Sequence, residues 1–437
     1  MRTPFRLVAV VAVIGVLGPI VAGCGSSSNK GSSSGPQPGV TATSITFGTH
    51  TALTGPAAPG YSEIAPASAA YFKYVNAHGG VYGRKIKLLI KDDAYNPTNT
   101  VNVVHQLVLQ SKVFGIFEGL GTPTHTKVVQ YLNAEKVPDL FVASGCPCWD
   151  KGSSQPFTFG WLPNYTLEGK ILGAYIAKHF KGEKVGVLYQ DDDFGQGGLA
   201  GIKDRVPAKD IVSTQPYQVG TTTLAPQITA IKSAGAKVLV DFTVPIYTAI
   251  GQLTSFTLGY KPQLVISNVG IDPTTVGALL KAVSKGKASG TGLIEGAITD
   301  YYLPSNTDNS NPWIKLFRRI HDKYDAKAPF DTNVLYGMSS AYTLVQALEA
   351  AGKNLTRQGL IDVVNSQGAT WQGPGLVPFR YSASDHGGYS GVRIAMIKGG
   401  KIVESGKPLT TDPSASGPIT VATSTQAAPP ASGIPGP

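Results

Sequence analysis

The chain has 437 residues, of which 42% are apolar and 15% are charged. This length allows two ordinary lobes with sizeable cores, and the composition is typical of a globular protein. The net charge is +10, with 37 Lys and Arg against 27 Asp and Glu. The basic residues are scattered and no stripe of basic and aromatic residues appears, so we expect a solvated basic surface and no nucleic-acid partner.

Residues 1–23 have the features of a secretory signal peptide. Arg2 and Arg6 precede an uncharged apolar run from Leu7 to Ala22, which is shorter than the roughly 20 residues of a membrane-spanning helix. The run ends in V-A-G-C, which resembles a bacterial lipobox, so Cys24 is the predicted lipidation site. The alternative is an ordinary signal peptide with a chance cysteine. Since two acyl chains anchor a protein stably, the sequence predicts a lipid-anchored, extracytoplasmic protein at the cell membrane.

Two segments of biased composition flank the central part of the chain. Residues 24–42 are rich in Gly, Ser and Pro, which predicts a flexible tether. Residues 411–437 are rich in Pro, Ala, Ser and Thr and lack apolar periodicity, so we expect a disordered tail there.

Strand and helix patterns alternate between these segments, as in a parallel α/β fold. Strands are predicted at Ile45–Thr49, Lys85–Lys91, Gly115–Glu118, Asp139–Ala143, Lys184–Tyr189, Ile211–Pro216, Val238–Phe242 and Gln263–Ser267. Amphipathic helices are predicted at Ala65–Asn76, Thr98–Gln110, Thr126–Ala134, Leu167–Phe180, Leu224–Ala234, Tyr247–Leu258 and Thr274–Val283. The strands are short and almost entirely apolar, which suits parallel sheets buried on both faces. Because the pattern appears twice, we expect two doubly wound lobes.

Three motifs carry a resemblance to a known family. They are L-T-G-P-A-A at Leu53–Ala58, N-A-H-G-G-V-Y-G-R-K-I at Asn76–Ile86 and D-D-A-Y-N-P at Asp92–Pro97. In this order and spacing they resemble the branched-chain amino acid-binding proteins, which are type I periplasmic binding proteins of ABC importers. The resemblance continues more loosely from about Ile45 to about Ser405.

The resemblance implies two parallel-sheet lobes, joined by a three-segment hinge that closes around a ligand. Crossings between the lobes are expected near residues 162–164, 294–299 and 373–378. The first lobe is then predicted to contain residues 43–162 and 297–374. The second is predicted to contain residues 163–296 and 375–410.

The loop E-G-L-G-T-P-T-H-T, from Glu118 to Thr126, lies between a predicted strand and a helix. Its glycines allow the backbone to approach a ligand, and its hydroxyls and amides can bind a carboxylate or another polar oxygen. The family has a serine-rich loop here that grips the ligand carboxylate, which implies a binding role for Thr122 and Thr124. Pro123 removes one amide donor, however, and either threonine could simply cap the helix.

The resemblance implies further binding residues at the ends of other strands. Phe194 replaces a tyrosine that the family packs on its ligand, and Tyr61 lies one place after the usual aromatic position. For Phe194 and Tyr247, structural packing is an equal alternative. The complete predicted ligand-binding set is Tyr61, Thr122, Thr124, Ser144, Gly145, Cys146, Phe194 and Tyr247.

One departure from the family concerns the carboxylate that holds the ammonium group of an amino acid ligand. Val269 lies near that register, and Asp272 is close but displaced. A buried ammonium group without a partner is costly. Either Asp272, Asp241 or another acid takes this role, or the ligand is not an α-amino acid.

No catalytic, metal or cofactor site is predicted. The central part of the chain contains no G-x-S-x-G elbow, H-E-x-x-H, P-loop or G-x-G-x-x-G motif. The acidic clusters at Asp92–Asp93 and Asp191–Asp193 follow strands, where carboxylates commonly cap a helix or turn. Cys146 and Cys148 are separated by one residue and lack further ligands at usable spacing, which favours a local disulfide or two free thiols.

We therefore expect a monomeric solute-binding lipoprotein and no enzyme. It would capture a small polar ligand, with a branched-chain or related amino acid as the first candidate, and deliver it to an ABC permease with its ATPase. The alternatives are a ligand-sensing receptor of the same fold, or an importer component for an amide, urea, or an aromatic or aliphatic acid.

Overall fold

The computed structural model describes residues 37–288, 290–423 and 426–436. The predicted signal peptide, the lipidation site Cys24 and most of the predicted tether lie outside the described residues. Residues 37–42, which the sequence assigns to the tether, already pack against the first strand, since the Thr46 amide donates to the Gly39 carbonyl at 2.8 Å. Within the described residues, no helix is both long and apolar enough to cross a membrane.

The first sheet is parallel and is built from the first series of strands. These are β1 (Ser44–Thr51), β2 (Lys85–Asp92), β3 (Gly115–Phe117), β4 (Asp139–Val142) and β5 (Thr158–Gly160). Their order in the sheet is β2-β1-β3-β4-β5. The intervening helices are the kinked α1 (Ala58–Tyr61), α2 (Ile64–Ala77), α3 (Pro97–His105), α4 (Thr122–His125) and α5 (Val129–Ala134).

The second sheet begins with another parallel series and ends with antiparallel strands. Its strands are β6 (Val185–Gln190), β7 (Ile211–Tyr217), β8 (Val238–Phe242), β9 (Gln263–Ile266), β10 (Ile298–Tyr301), β11 (Gly391–Lys398), β12 (Lys401–Glu404), β13 (Leu409–Thr410) and β14 (Thr420–Val421). The order is β14-β13-β11-β10-β9-β8-β6-β7, and β12 also pairs with β11. Its helices are α6 (Tyr165–His179), α7 (Asp193–Arg205), α8 (Ala225–Ser233), α9 (Pro245–Thr257) and α10 (Pro273–Val283).

Three later helices return to the first sheet: α11 (Pro312–Tyr324), α12 (Thr332–Ala351) and α13 (Arg357–Gln367). Ser68 on α2 donates to the Gly337 carbonyl on α12 at 2.8 Å. Arg357 on α13 donates to the Phe114 carbonyl at 2.9 Å. The expected α/β architecture with two parallel sheets is therefore confirmed.

Short polar side chains fix where several helices begin. Asn164, Asp192 and Asp331 accept hydrogen bonds from backbone amides in the first turns of α6, α7 and α12. Such caps satisfy amides that have no partner inside the helix. The capping interpretation of the Asp191–Asp193 cluster is thus confirmed for Asp192.

Two of the predicted lobe boundaries are corrected. Strand β10 pairs with β9, with Ile298 opposite Val265, so the segment from residue 297 belongs to the second sheet and the crossing follows β10. The last crossing also lies later than residues 373–378. The Tyr381 hydroxyl donates to the Gly160 carbonyl at 2.6 Å, and aromatic stacking of Phe379 on Tyr389 keeps this segment beside β5 until β11 begins.

The predicted disordered tail is also corrected for its described residues, 411–423 and 426–436. The buried Lys170 ammonium on α6 donates to Thr411 Oγ1 at 3.1 Å and to the Asp412 carbonyl at 2.7 Å. Further along, Trp313 Nε1 donates to the Ala427 carbonyl at 2.7 Å, and the Tyr71 hydroxyl to the Gly433 carbonyl at 2.8 Å. Side chains of both lobes therefore donate hydrogen bonds to carbonyls of the tail. The composition of the tail alone cannot predict these contacts.

Replacing Lys170 should loosen the first part of this tail. In Lys170→Met the side chain keeps its approximate length but loses the ammonium that bonds Thr411 and Asp412. We expect faster hydrogen–deuterium exchange across residues 411–417 and a free energy of unfolding lower by about 1–3 kcal/mol. Lys178→Met, on an exposed position of the same helix, is the matched control. Equal exchange in both variants would contradict the assigned contacts.

Candidate functional site

A cavity of about 790 Å³, its open mouth included, lies where the loops of the two sheets meet. Many of the wall residues follow the carboxyl end of a strand. In the first sheet, Tyr61 follows β1 and Leu120 follows β3. In the second sheet, Phe194 follows β6, Asn268 follows β9 and Tyr302 follows β10. Open α/β sheets bind ligands at this end of their strands.

Aromatic side chains dominate the wall. They come from both lobes and are Tyr61, Tyr95, Tyr165, Phe194, Tyr301, Tyr302 and Tyr336. Aliphatic residues such as Leu120, Leu162 and Leu335 fill the spaces between them. The polar side chains of the wall are hydroxyls and amides, on Thr122, Asn268, Thr332 and Asn333. The cavity therefore offers a large apolar contact surface with a few fixed hydrogen-bonding groups.

Three of the predicted binding residues lie on this wall: Tyr61, Thr122 and Phe194. Thr122 Oγ1 is hydrogen-bonded to Ser144 Oγ at 2.6 Å, so Ser144 positions Thr122 from behind. The Tyr61 hydroxyl, from the first lobe, donates to the Val269 carbonyl of the second lobe at 2.7 Å. The ligand-binding role of these residues remains a prediction.

The other predicted residues do not line the cavity. Thr124 Oγ1 donates to the Leu120 carbonyl at 2.5 Å. The N-cap of α4 is Gly121 and no side chain caps this helix, so the capping alternative for the two threonines is wrong. The Tyr247 hydroxyl accepts from the Gly220 amide. Gly145 accepts a hydrogen bond from the Tyr165 amide at 2.8 Å through its carbonyl. Cys146 forms a disulfide with Cys148, which decides between the disulfide and the two free thiols.

Sequence reasoning missed five tyrosines of the wall: Tyr95, Tyr165, Tyr301, Tyr302 and Tyr336. Tyr95 belongs to the D-D-A-Y-N-P motif, which was used only to identify the family. Tyr301 and Tyr302 were assigned to the first lobe because the predicted boundary fell at residue 297. A strand prediction for residues 298–301 would have placed them at the carboxyl end of a strand beside the cleft.

The loop that contains Leu120 and Thr122 rests on a buried chain of ionisable side chains. His50 Nδ1 is 2.8 Å from Asp93 Oδ2, and His50 Nε2 is 2.9 Å from His125 Nδ1. His125 Nε2 is in turn 2.7 Å from Asp139 Oδ2. Each of these three hydrogen bonds needs one shared proton. Burial lowers the pKa of His50, an effect larger than the opposing one of its Asp93 hydrogen bond.

Glu118 lies at the start of the same loop and is completely enclosed. Ser68 Oγ is 2.7 Å from Glu118 Oε2, and Ser340 Oγ contacts the other carboxyl oxygen. Burial raises the pKa of Glu118 to about 8, and this desolvation outweighs the two serine hydrogen bonds. The side chain is therefore mostly protonated at neutral pH. Both serines also lie within hydrogen-bonding distance of the Gly337 carbonyl. One serine can therefore accept the carboxyl proton while donating to Gly337, and the other can donate to the second carboxyl oxygen.

Comparison with known proteins agrees with this architecture. Residues 44–401 match the family model described as periplasmic binding protein. A Leu/Ile/Val-binding protein homolog 1 from Brucella suis biovar 1 is 25% identical over 317 residues, covering 69% of this chain and 77% of that protein.

Two solved structures superpose on most of the chain. A branched-chain amino acid ABC transporter protein from Thermus thermophilus with bound valine gives a TM-score of 0.72 at 22% identity, covering 85% of this chain and 97% of that one. A fatty acid ABC transporter substrate-binding protein from Thermomonospora curvata also gives a TM-score of 0.72, at 23% identity, with coverages of 86% and 95%. The resemblance indicated by the three sequence motifs is confirmed.

The raised pKa of Glu118 leads to a testable pH dependence. Between about pH 4.5 and pH 8 the folded protein holds a proton on Glu118 that the unfolded chain has released. This group therefore lowers the free energy of unfolding as pH rises, by up to about 1.4 kcal/mol per pH unit. Glu118→Gln should remove that contribution, so denaturant unfolding at pH 5 and pH 8 should differ less in the variant than in the wild type.

The matched control is Glu135→Gln, because Glu135 is exposed. It should leave the difference between pH 5 and pH 8 unchanged. If Glu118→Gln also leaves that difference unchanged, the assigned protonation of Glu118 is wrong.

Proposed function

Because this chain belongs to the periplasmic binding protein family, we propose that it is an extracytoplasmic solute-binding protein that captures a small ligand between its two lobes. The observation that carries the proposal is the cavity of about 790 Å³, lined from the carboxyl ends of strands in both sheets. Its aromatic wall can bury most of a small apolar ligand, while Thr122 and Asn268 offer hydrogen bonds. The family is one of binding proteins, and we assign no catalytic role.

The ligand has an apolar body, either a branched aliphatic chain or an aromatic ring. A branched-chain or related amino acid is the first candidate, supported by the apolar wall and by relatives named for Leu, Ile and Val or solved with bound valine. A non-amino acid with the same body is the second. The structural neighbour named for fatty acids and the uncharged side chains of the described wall favour this second class.

Closure of the lobes is the motion that this site requires. The Tyr61 hydroxyl already bonds the Val269 carbonyl across the cleft, and Asp272 Oδ2 accepts from Thr332 Oγ1 at 2.8 Å between α10 and α12. A ligand that contacts both lobes strengthens the closed arrangement, since it binds that arrangement better than the open one. We propose that a monomer anchored through Cys24 then delivers the ligand to an ABC permease and its ATPase.

A ligand screen tests the proposal. Thermal unfolding of the mature chain is measured with amino acids, their deamino acids and their amides. A true ligand at about 100 times its dissociation constant should stabilise the protein by about 2.7 kcal/mol. Phe194→Ala should weaken binding of that ligand at least tenfold, because it removes a buried wall ring. Phe256→Ala, which changes a ring 60% exposed on α9, is the control.

Two results would count against the proposal. One is the absence of any stabilising compound in the screen. The other is a ligand whose affinity is the same in Phe194→Ala and in Phe256→Ala, because that ligand would bind outside the cavity. Unfolding without ligand shows whether each variant is folded.

Tyr61→Phe tests closure separately. It removes the hydroxyl that bonds Val269 across the cleft and leaves the ring in place. We expect a larger radius of gyration in small-angle scattering without ligand, and a dissociation constant raised by about two- to tenfold, the usual effect of one hydrogen bond. In Tyr82→Phe the lost hydroxyl bonds Glu349 within one lobe, so neither quantity should change. Identical behaviour of the two variants would show that the Tyr61 bond does not favour closure.

A further inference from the structure

The chemistry of the cavity wall narrows the ligand class. We propose that the site takes an apolar carboxylic acid or its amide, with a carbonyl or carboxylate head and no ammonium group. This inference rests on the proposed function and identifies which class of ligand that same site selects.

The described residues of the wall include no charged side chain. Their polar groups are the hydroxyls of threonine and tyrosine and the side-chain amides of Asn268 and Asn333. An ammonium group taken from water into such a wall would lose its hydration without gaining a carboxylate partner. An uncharged amide, or a carboxylate that accepts several hydrogen bonds, has suitable partners here.

The acids expected to replace the family's ammonium-binding carboxylate are engaged elsewhere. Asp272 is 4% exposed; its Oδ1 accepts from the Thr275 amide at 2.7 Å and its Oδ2 from Thr332. Asp241 is fully buried, and its Oδ2 accepts from Gln252 Nε2 at 2.7 Å. Neither side chain lines the cavity. Both therefore serve structural contacts and do not supply a free carboxylate to a ligand.

Two further acids lie behind Asn268. The Asn268 side chain donates to Asp300 Oδ2 at 2.9 Å, and its backbone amide donates to Glu168 Oε1 at 3.1 Å. Both acids are fully buried, whereas Asn268 itself lines the cavity. Burial and, to a smaller extent, the neighbouring Asp300 raise the pKa of Glu168 well above its usual value. Asn268 therefore presents an amide to the ligand at a place where these acids remain out of reach.

Two tyrosine hydroxyls indicate that the polar end of the ligand is a hydrogen-bond acceptor. Tyr301 is 6% exposed and Tyr336 is 7% exposed, and both line the cavity. The Tyr336 hydroxyl has no hydrogen-bond partner among the described residues. The Tyr301 hydroxyl lies near Thr332 but forms no hydrogen bond of normal geometry among those residues. A buried donor without an acceptor is costly, and native proteins seldom leave one unpaired. Burial raises the pKa of both phenols well above the usual value, so both remain protonated donors. A carboxylate or amide carbonyl in the cavity would accept from them.

Matched compounds test the inference on the mature chain. Titration calorimetry is performed with L-leucine, 4-methylpentanoate, 4-methylpentanamide and 3-methylbutylamine, and with L-phenylalanine and 3-phenylpropanoate. We expect at least one deamino acid or amide to bind at least tenfold more tightly than the amino acid of the same body, and the amine not to bind. The acid and the amide together show whether the head is charged.

Tyrosine variants locate the head group. Tyr301→Phe and Tyr336→Phe should each weaken binding of the tightest acid or amide by about two- to tenfold, because each removes one donor. Tyr389→Phe is the matched control, since the Tyr389 hydroxyl is also buried, forms no hydrogen bond of normal geometry among the described residues and does not line the cavity. It should leave the affinity unchanged.

The possible outcomes separate the two proposals. If no acid or amide binds more tightly than the amino acid of the same body, this inference is overturned and the proposed solute-binding function remains. Binding of 3-methylbutylamine, or equal affinities in Tyr301→Phe, Tyr336→Phe and Tyr389→Phe, would also overturn it. If no compound in these panels binds, the inference fails; if the broader ligand screen is negative as well, the proposed function also fails.

Discussion

Parallel strands place all their carboxyl-end loops at one edge of a sheet, and the site depends on two such edges meeting at one cavity. Leu120 follows β3 in the first sheet, while Phe194 and Asn268 follow β6 and β9 in the second. No single loop forms the site. Because the wall is shared between the lobes, we propose that ligand contact and lobe closure are coupled. The Tyr61–Val269 hydrogen bond already joins the two lobes across the cleft.

The interior beneath the first-lobe loop holds ionisable groups in an apolar protein core. Glu118 and the His50–His125 pair lie directly behind residues that line the cavity. An added Cβ at Gly119 would lie 2.6 Å from His125 Nδ1 and 2.7 Å from His50 Nε2. The loop can approach these rings only because position 119 has no side chain. The shape of the wall is therefore set by contacts on its hidden side as well as by the residues a ligand would touch.

The periodicity of apolar residues predicted the fold well, because it depends only on residues close together in the sequence. The family resemblance implied Tyr61, Thr122 and Phe194 as binding residues, and these three line the cavity. The periodicity could not predict contacts between distant segments, such as Lys170 with the tail at residues 411–417. Tyr336 reaches the cavity from a helix far along the chain, and only the packed structure brings it there. The predicted lobe boundary at residue 297 was wrong for the same reason, since the pairing of β10 with β9 is a contact between distant segments.

We propose that a ligand lies between the lobes with its carboxylate or amide at the tyrosine hydroxyls. A crystal structure of the mature protein with 4-methylpentanoate tests it most directly. The account predicts closed lobes, the carboxylate within about 3 Å of the Tyr301 and Tyr336 hydroxyls, and the aliphatic chain against Phe194. A ligand bound outside the cleft, or bound there with its carboxylate away from both hydroxyls, would contradict the account.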